Sequence, residues 1–159
     1  MKKVVPIIIF VCFLFAGCSV KASYTPEIRD FSQNASVEAG EFSYTCKISM
    51  AERVVTVTAT STNAKGMSIV YNGKSANFKY LEMEYEIVSD KIDDTNPAKA
   101  VYDAFEALQA GFPDNASKTA DGFRYDGKSP LGSFTLLQRD DYTYKSLQFK
   151  EANINIEFE

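Results

Sequence analysis

Residues 95–111 read TNPAKAVYDAFEALQAG, and their spacing decides the fold. Val101, Ala104, Phe105 and Leu108 recur at helical intervals and make one apolar stripe, with Tyr102 off its centre. Thr95 or Asn96 can cap the first turn, Pro97 stands at the first helical position, and Gly111 is placed to close the helix as its C′ residue. On either side of this helix the apolar residues alternate with a period of two. A single amphipathic helix cannot bury the apolar face of a large sheet unless the sheet curls around it. The expected class is therefore α+β, a curved antiparallel β-sheet or half-barrel wrapped around one main helix.

Upstream, Phe42, Tyr44, Cys46 and Ile48 share one face of a strand, and Ser43, Thr45, Lys47 and Ser49 share the other. Cys46 thus points to the core, where nothing basic on its own face favours a thiolate and an inert thiol is expected. A second strand covers 53–60 (RVVTVTAT), with Val55, Val57 and Ala59 inward. Strands over 67–71 and 74–80 flank Asn72-Gly73, a pair suited to the two positive φ angles of a type I′ hairpin. Phe78 and Tyr80 share one parity, whereas Leu81, Met83, Tyr85 and Ile87 share the other, interleaved with Glu82, Glu84 and Glu86. That flip predicts a bulge or sharp bend near Tyr80-Leu81. Downstream, strands are expected over 122–125, 132–139, 144–149 and 154–158, with tight turns at Asp126-Gly127 and Asp140-Asp141.

The N-terminus carries a different signal. Lys2 and Lys3 precede an apolar run from Val4 to Phe15, and small residues Ala16-Gly17 follow before Cys18. This is the three-part layout of a secretory signal peptide, residues 1–17, and it is shorter than the roughly 20 apolar residues a membrane span needs. Leu14-Phe15-Ala16-Gly17-Cys18 resembles the bacterial lipobox, with Phe15 where leucine is usual. The resemblance implies lipid attachment, of the palmitate kind, at Cys18, and a mature chain beginning there. Residues 18–33 then read as lipidated cysteine and tether, and 34–159 as the β-rich domain. The expected location is the extracytoplasmic face of the cell membrane, with the lipid anchor as the membrane contact.

Cys12 falls in the signal and Cys18 carries lipid, so Cys46 has no partner for an intramolecular disulfide. Of 17 basic residues, loss of Lys2 and Lys3 leaves 15 against 21 acidic ones, a net charge of −6. An acidic chain with no histidine is a poor partner for nucleic acid.

Three stretches together resemble the LolA-like superfamily, with its LppX-type lipoproteins, and more closely its small Firmicute-type lipoprotein members. They are Lys65-Gly66-Met67-Ser68-Ile69-Val70-Tyr71-Asn72-Gly73-Lys74, the strand region 78–87, and the C-terminal set 132–136, 145–147 and 154–158. Similar members often carry Gly where Tyr80 stands. The resemblance implies a LolA-like fold that shelters acyl chains or other apolar ligands between curved sheet and helix, and no specific role.

The residues offer no catalytic constellation. Absence of histidine removes Ser-His and Cys-His systems and the commonest zinc ligand. Neither an enzyme activity, a cofactor nor a metal site is expected. Asp90, Asp93 and Asp94 read as a solvated capping loop before the helix rather than a calcium loop. Glu82, Glu84 and Glu86 read as a soluble face or a protected edge. The 12 Phe and 9 Tyr are the suggestive feature. Phe42, Tyr44, Phe78, Tyr85, Phe105, Phe134 and Phe149 are candidates to line an apolar cavity for a lipid or other apolar small molecule, though each fits an ordinary core as well. Two classes of function stay open at this point: a tethered binding module, or an envelope interaction protein with a filled core.

Overall fold

The computed structural model describes residues 25–159. The first meander comprises β1 (Phe31–Ala39), β2 (Phe42–Ala51), β3 (Val54–Ala59), β4 (Ser68–Tyr71), β5 (Ser75–Tyr80) and β6 (Met83–Val88). The helix α1 (Pro97–Gly111) follows, and then β7 (Ala116–Thr119), β8 (Gly122–Ser129), β9 (Gly132–Arg139), β10 (Tyr144–Phe149) and β11 (Ile154–Phe158). All strands join one sheet in the order β6-β5-β4-β3-β2-β1-β11-β10-β9-β8-β7. The two meanders meet where β1 runs antiparallel to β11, with Ala35 opposite Phe158.

The sheet is open, with β6 and β7 as its edges, and it is strongly curved. Six inter-strand steps separate β3 from β8, which on a flat sheet is about 29 Å. A helix roughly 10 Å across nevertheless packs on both strands, and on β4 as well. Only a sheet curled around α1 allows that. The half-barrel with one helix is the architecture the residue periodicities predict.

The helix follows its sequence closely. Asn96 is the cap, its Oδ1 accepting from Ala98 N at 3.1 Å and Lys99 N at 3.4 Å. Val101, Ala104, Phe105 and Leu108 are all buried, together with Ala98 and Ala100. Lys99 is buried too. Burial pushes its pKa down, but hydrogen bonds to Asp103 (2.8 Å) and Asp94 (2.7 Å) more than offset this and hold the ammonium charged. Asp93 accepts from the Thr95 amide and hydroxyl. Asp93 and Asp94 therefore serve the helix start. At the other end Gly111 stays helical instead of taking a left-handed C′ conformation, and the Asn115 side chain donates to Leu108 O at 3.0 Å.

Four local expectations need correction. The Asn72-Gly73 hairpin forms, but only Gly73 has positive φ (85°). Tyr71 faces Ala76 and Asn72 N donates to Ser75 O, so Gly73 and Lys74 are the central pair, with glycine first as in a type II′ turn. Asn72 instead accepts from the Lys74 and Ser75 amides at 2.9 Å. The parity flip at Tyr80-Leu81 is a hairpin, not a bend. Tyr80 pairs with Met83 and Leu81 takes a left-handed φ of 54°, so β6 folds back on β5. Asp126-Gly127 lies inside β8 rather than at a turn. Gly127 is there for close approach, since a Cβ on it would sit 2.4 Å from the Phe134 ring. Finally, β1 starts at Phe31, so the folded part reaches back into the 18–33 segment expected as tether.

Candidate apolar site

The concave face is solid under the middle of α1. Phe31 stacks on Phe105 with centroids 5.4 Å apart and meets Tyr144 and Phe158 edge-on at 4.9 and 5.5 Å. Phe105 also meets Tyr144 edge-on at 5.1 Å. Phe134 and Phe149, both buried, pack together at 5.6 Å. Polar groups tie the incoming chain to this knot. The Tyr144 hydroxyl accepts from Arg29 N and donates to Arg29 O, while Gln33 bonds both the N and O of Tyr144. The Gln138 amide donates to Glu27 O at 2.9 Å and accepts from the Tyr125 hydroxyl at 2.8 Å.

Toward the N-terminal end of α1 this cover stops. A cavity of about 370 Å³ opens between β2, β3, β4 and the β3–β4 loop, within the range of small-molecule sites. Phe42, Tyr44, Val57, Ala59, Met67, Ile69 and Pro97 form its apolar walls, and Ser43, Thr62 and Ala64 complete it. Short-range bonds place the loop. Gly66 N donates to Ala59 O, Met67 N to Ala64 O, and Thr45 N to Ser61 Oγ. The Tyr80 hydroxyl reaches Asn63 O at 3.3 Å. Burial raises the pKa of the Tyr44 hydroxyl above its ordinary value, and pushes that of the Cys46 thiol up to about 11. Cys46 is 1% exposed, the burial that its phase predicts.

The cavity continues into an uncovered stripe. Ile48, Val57, Ile69, Phe78 and Tyr85 lie opposite one another across β2 to β6. Their exposure climbs along this row, from 0% at Ile48 through 3% at Val57 and 7% at Ile69 to 67% at Tyr85. A larger groove of about 440 Å³ on β8 and β9 is a weaker candidate. Its Arg124 already holds Asp126 through two bonds of 2.8 and 2.9 Å, and Thr135 donates to the same carboxylate.

The seven aromatic candidates thus part company. Phe42 and Tyr44 line the cavity, Phe78 and Tyr85 continue it outward, and Phe105, Phe134 and Phe149 belong to the packed core. Cys18 and the signal segment 1–17 lie outside the described residues. Val57 and Ala59 were visible as inward strand positions and Ile69 as part of a strand; Thr62 and Ala64 carry no local signal for a cavity wall. Among the described residues no three His, Cys, Asp or Glu side chains converge as metal ligands would, and no helix is long and apolar enough to cross a membrane.

No family model matches the sequence, and no curated protein does. Among solved structures, the chain is similar to an uncharacterized conserved protein from Thermus thermophilus, at 11% identity and a TM-score of 0.43, over 80% of this chain and 76% of that one. It is also similar to a LolA superfamily protein from Nitrosomonas europaea, at 11% identity and a TM-score of 0.38, over 79% of this chain and 66% of that one. Likeness at these values assigns neither family nor activity.

Proposed function

We propose that this protein is a membrane-anchored extracytoplasmic lipoprotein, attached through Cys18, that binds a lipid tail or other apolar ligand without catalysis. The apolar cavity of about 370 Å³ beside Pro97 carries the reading. The signal layout and the lipobox-like site at 14–18 support the anchoring. The occupant has to be apolar, because the walls offer aromatic, aliphatic and methyl surface with few hydroxyls.

Native mass spectrometry of the protein purified from cells tests it. A co-purifying lipid or apolar molecule is expected, and Ala59→Trp, which fills the cavity, should release it. A wild-type protein that carries nothing, with the Ala59→Trp variant indistinguishable, would favour an envelope interaction protein instead. Anchoring is tested separately. Cys18→Ser should abolish palmitate labelling and partitioning into the detergent phase, and unchanged membrane attachment would defeat that part.

A further inference from the structure

Among the described residues β6 is a free edge of the sheet, and every residue from Leu81 to Glu86 is exposed. The phase of its ladder follows from one bond. Ser89 N donates to Lys74 O at 2.8 Å, and antiparallel pairs alternate between bonded and non-bonded. Counted in twos from Ser89 along the β5–β6 register, Ile87, Tyr85 and Met83 bond to β5. The backbone N–H and C=O groups of Glu84, Glu86 and Val88 therefore point away from the sheet, ready for another strand.

The side chains add a pattern to this edge. Met83 and Tyr85, 65% and 67% exposed, continue the apolar stripe on the concave face. Glu84 and Glu86 stand on the opposite face, and neighbours hold them in place. Glu84 accepts from Asn77 Nδ2 at 2.6 Å and pairs with Lys79 Nζ at 3.1 Å, and Glu86 accepts from Ser75 Oγ at 2.6 Å.

We propose that β6 is a docking edge for an extended polypeptide segment that alternates basic and apolar residues and adds as a twelfth strand. Residues directly opposite in an antiparallel pair project to the same face. Apolar residues of the segment then lie against Met83 and Tyr85, and its Lys or Arg residues against Glu84 and Glu86. Main-chain bonds to the outward groups supply affinity, and this alternation supplies selectivity. A second copy of the chain is a poor occupant, because antiparallel β6 against β6 sets glutamates opposite glutamates. A lipid surface would take the apolar side chains and leave the outward backbone groups without partners.

Two fluorescein-labelled decapeptides test this, one alternating Lys and Val, the other Glu and Val. Each is titrated by anisotropy against the protein purified from cells. The Lys–Val peptide should bind about tenfold tighter or better, the sum of a few opposite-charge pairs, and weaken with salt. Glu86→Pro removes an outward N–H while sparing the bonds to β5, a place where an edge strand accepts proline, and should abolish binding. Glu84→Lys combined with Glu86→Lys alters no backbone and should swap the preference to the Glu–Val peptide. The proposal fails if neither peptide binds, if both bind equally, or if binding survives Glu86→Pro. It fails equally if the wild-type protein is a dimer that Glu86→Pro dissolves, or if the hairpin binds zwitterionic vesicles and no peptide. The readout involves no lipid ligand, so it stands or falls apart from the cavity.

Discussion

Two regions of the concave face use the same kinds of residue to opposite effect. Under the centre of α1, Phe31, Phe105, Tyr144 and Phe158 interlock and Phe105 is fully buried. From β2 toward β6, Phe42, Tyr44, Phe78 and Tyr85 sit at equivalent inward positions, yet Phe42 is 78% and Tyr85 67% exposed. Cover separates them. α1 runs only from Pro97 to Gly111, about 22 Å at the usual rise, while the sheet it must cap is eleven strands wide. One helix fills the half of the trough beneath it, where Val55, Tyr71 and Ala76 of β3 to β5 are buried, and the half nearer the β3–β4 loop is left apolar and open.

The largest expected effect tests the filled half. Phe105→Ala should lower stability by about 3–5 kcal/mol in urea unfolding, because the site is closely packed and cannot collapse. A loss near that of a surface substitution, with lipid content altered at the same time, would mean that the ligand space extends beneath α1.

Titration sharpens the same contrast. Burial raises the Cys46 thiol to about 11 and the Tyr125 hydroxyl to about 12, and raises Tyr144 further. In each case the folded state keeps a proton that the unfolded chain releases first. Stability from each group is therefore fully present below its unfolded value; for the thiol it is lost as pH rises from about 9 to about 11, and for the tyrosines the loss begins only above pH 10. The Cys46 share is about 2–3 kcal/mol at one pKa unit per 1.36 kcal/mol. With no histidine in the chain, no step is expected between pH 6 and 8. Unfolding curves collected from pH 6 to 11 check both statements, and a loss of stability centred near neutrality would contradict them. Thiol labelling of the folded protein at pH 8 should also be far slower than that of the urea-unfolded chain.

A third, smaller effect connects the halves. Asn96→Ala removes the cap from the helix that covers one half and, through Pro97, walls the cavity in the other. It should cost about 1 kcal/mol and reduce the amount of co-purified apolar ligand. A loss of stability with ligand content unchanged would separate the helix start from the site.

How much of this the sequence discloses depends on how local the cause is. β2 and β3 declare themselves by alternation, and α1 by its stripe, cap and proline, because those signals lie within one element. β1 is silent for a physical reason. It points Gln33 inward, and that amide is satisfied by the backbone of Tyr144, 111 residues away. Gly127 looks like a turn residue until the ring of Phe134 is seen to occupy its missing Cβ. The parity flip at Tyr80-Leu81 is the same for a bend and for a two-residue hairpin, and pairing decides it. The seven aromatic residues divide by whether α1 reaches over them, and only Phe42 and Tyr44 line the cavity. No residue encodes that by itself.

The smallest expected effect concerns the bare end of the exposed row. Tyr85 pairs with Phe78 across the hairpin but has nothing above it, so Tyr85→Ser should change stability by no more than about 0.5 kcal/mol. The same tyrosine-sized loss of apolar surface under α1 would be several times costlier, and that ratio is what distinguishes an uncovered face from a core. A serine variant that folds equally well would show that the exposed ring, beside Met83 on the same face, belongs to an apolar patch the fold does not need. The variant should accordingly bind the Lys–Val peptide more weakly, since only its concave-face contact is lost while the outward backbone groups and Glu84 and Glu86 remain. A stability loss of about 2 kcal/mol or more, on the scale of buried side-chain truncation, would show that Tyr85 is covered in solution and that the two halves differ less than their exposures indicate.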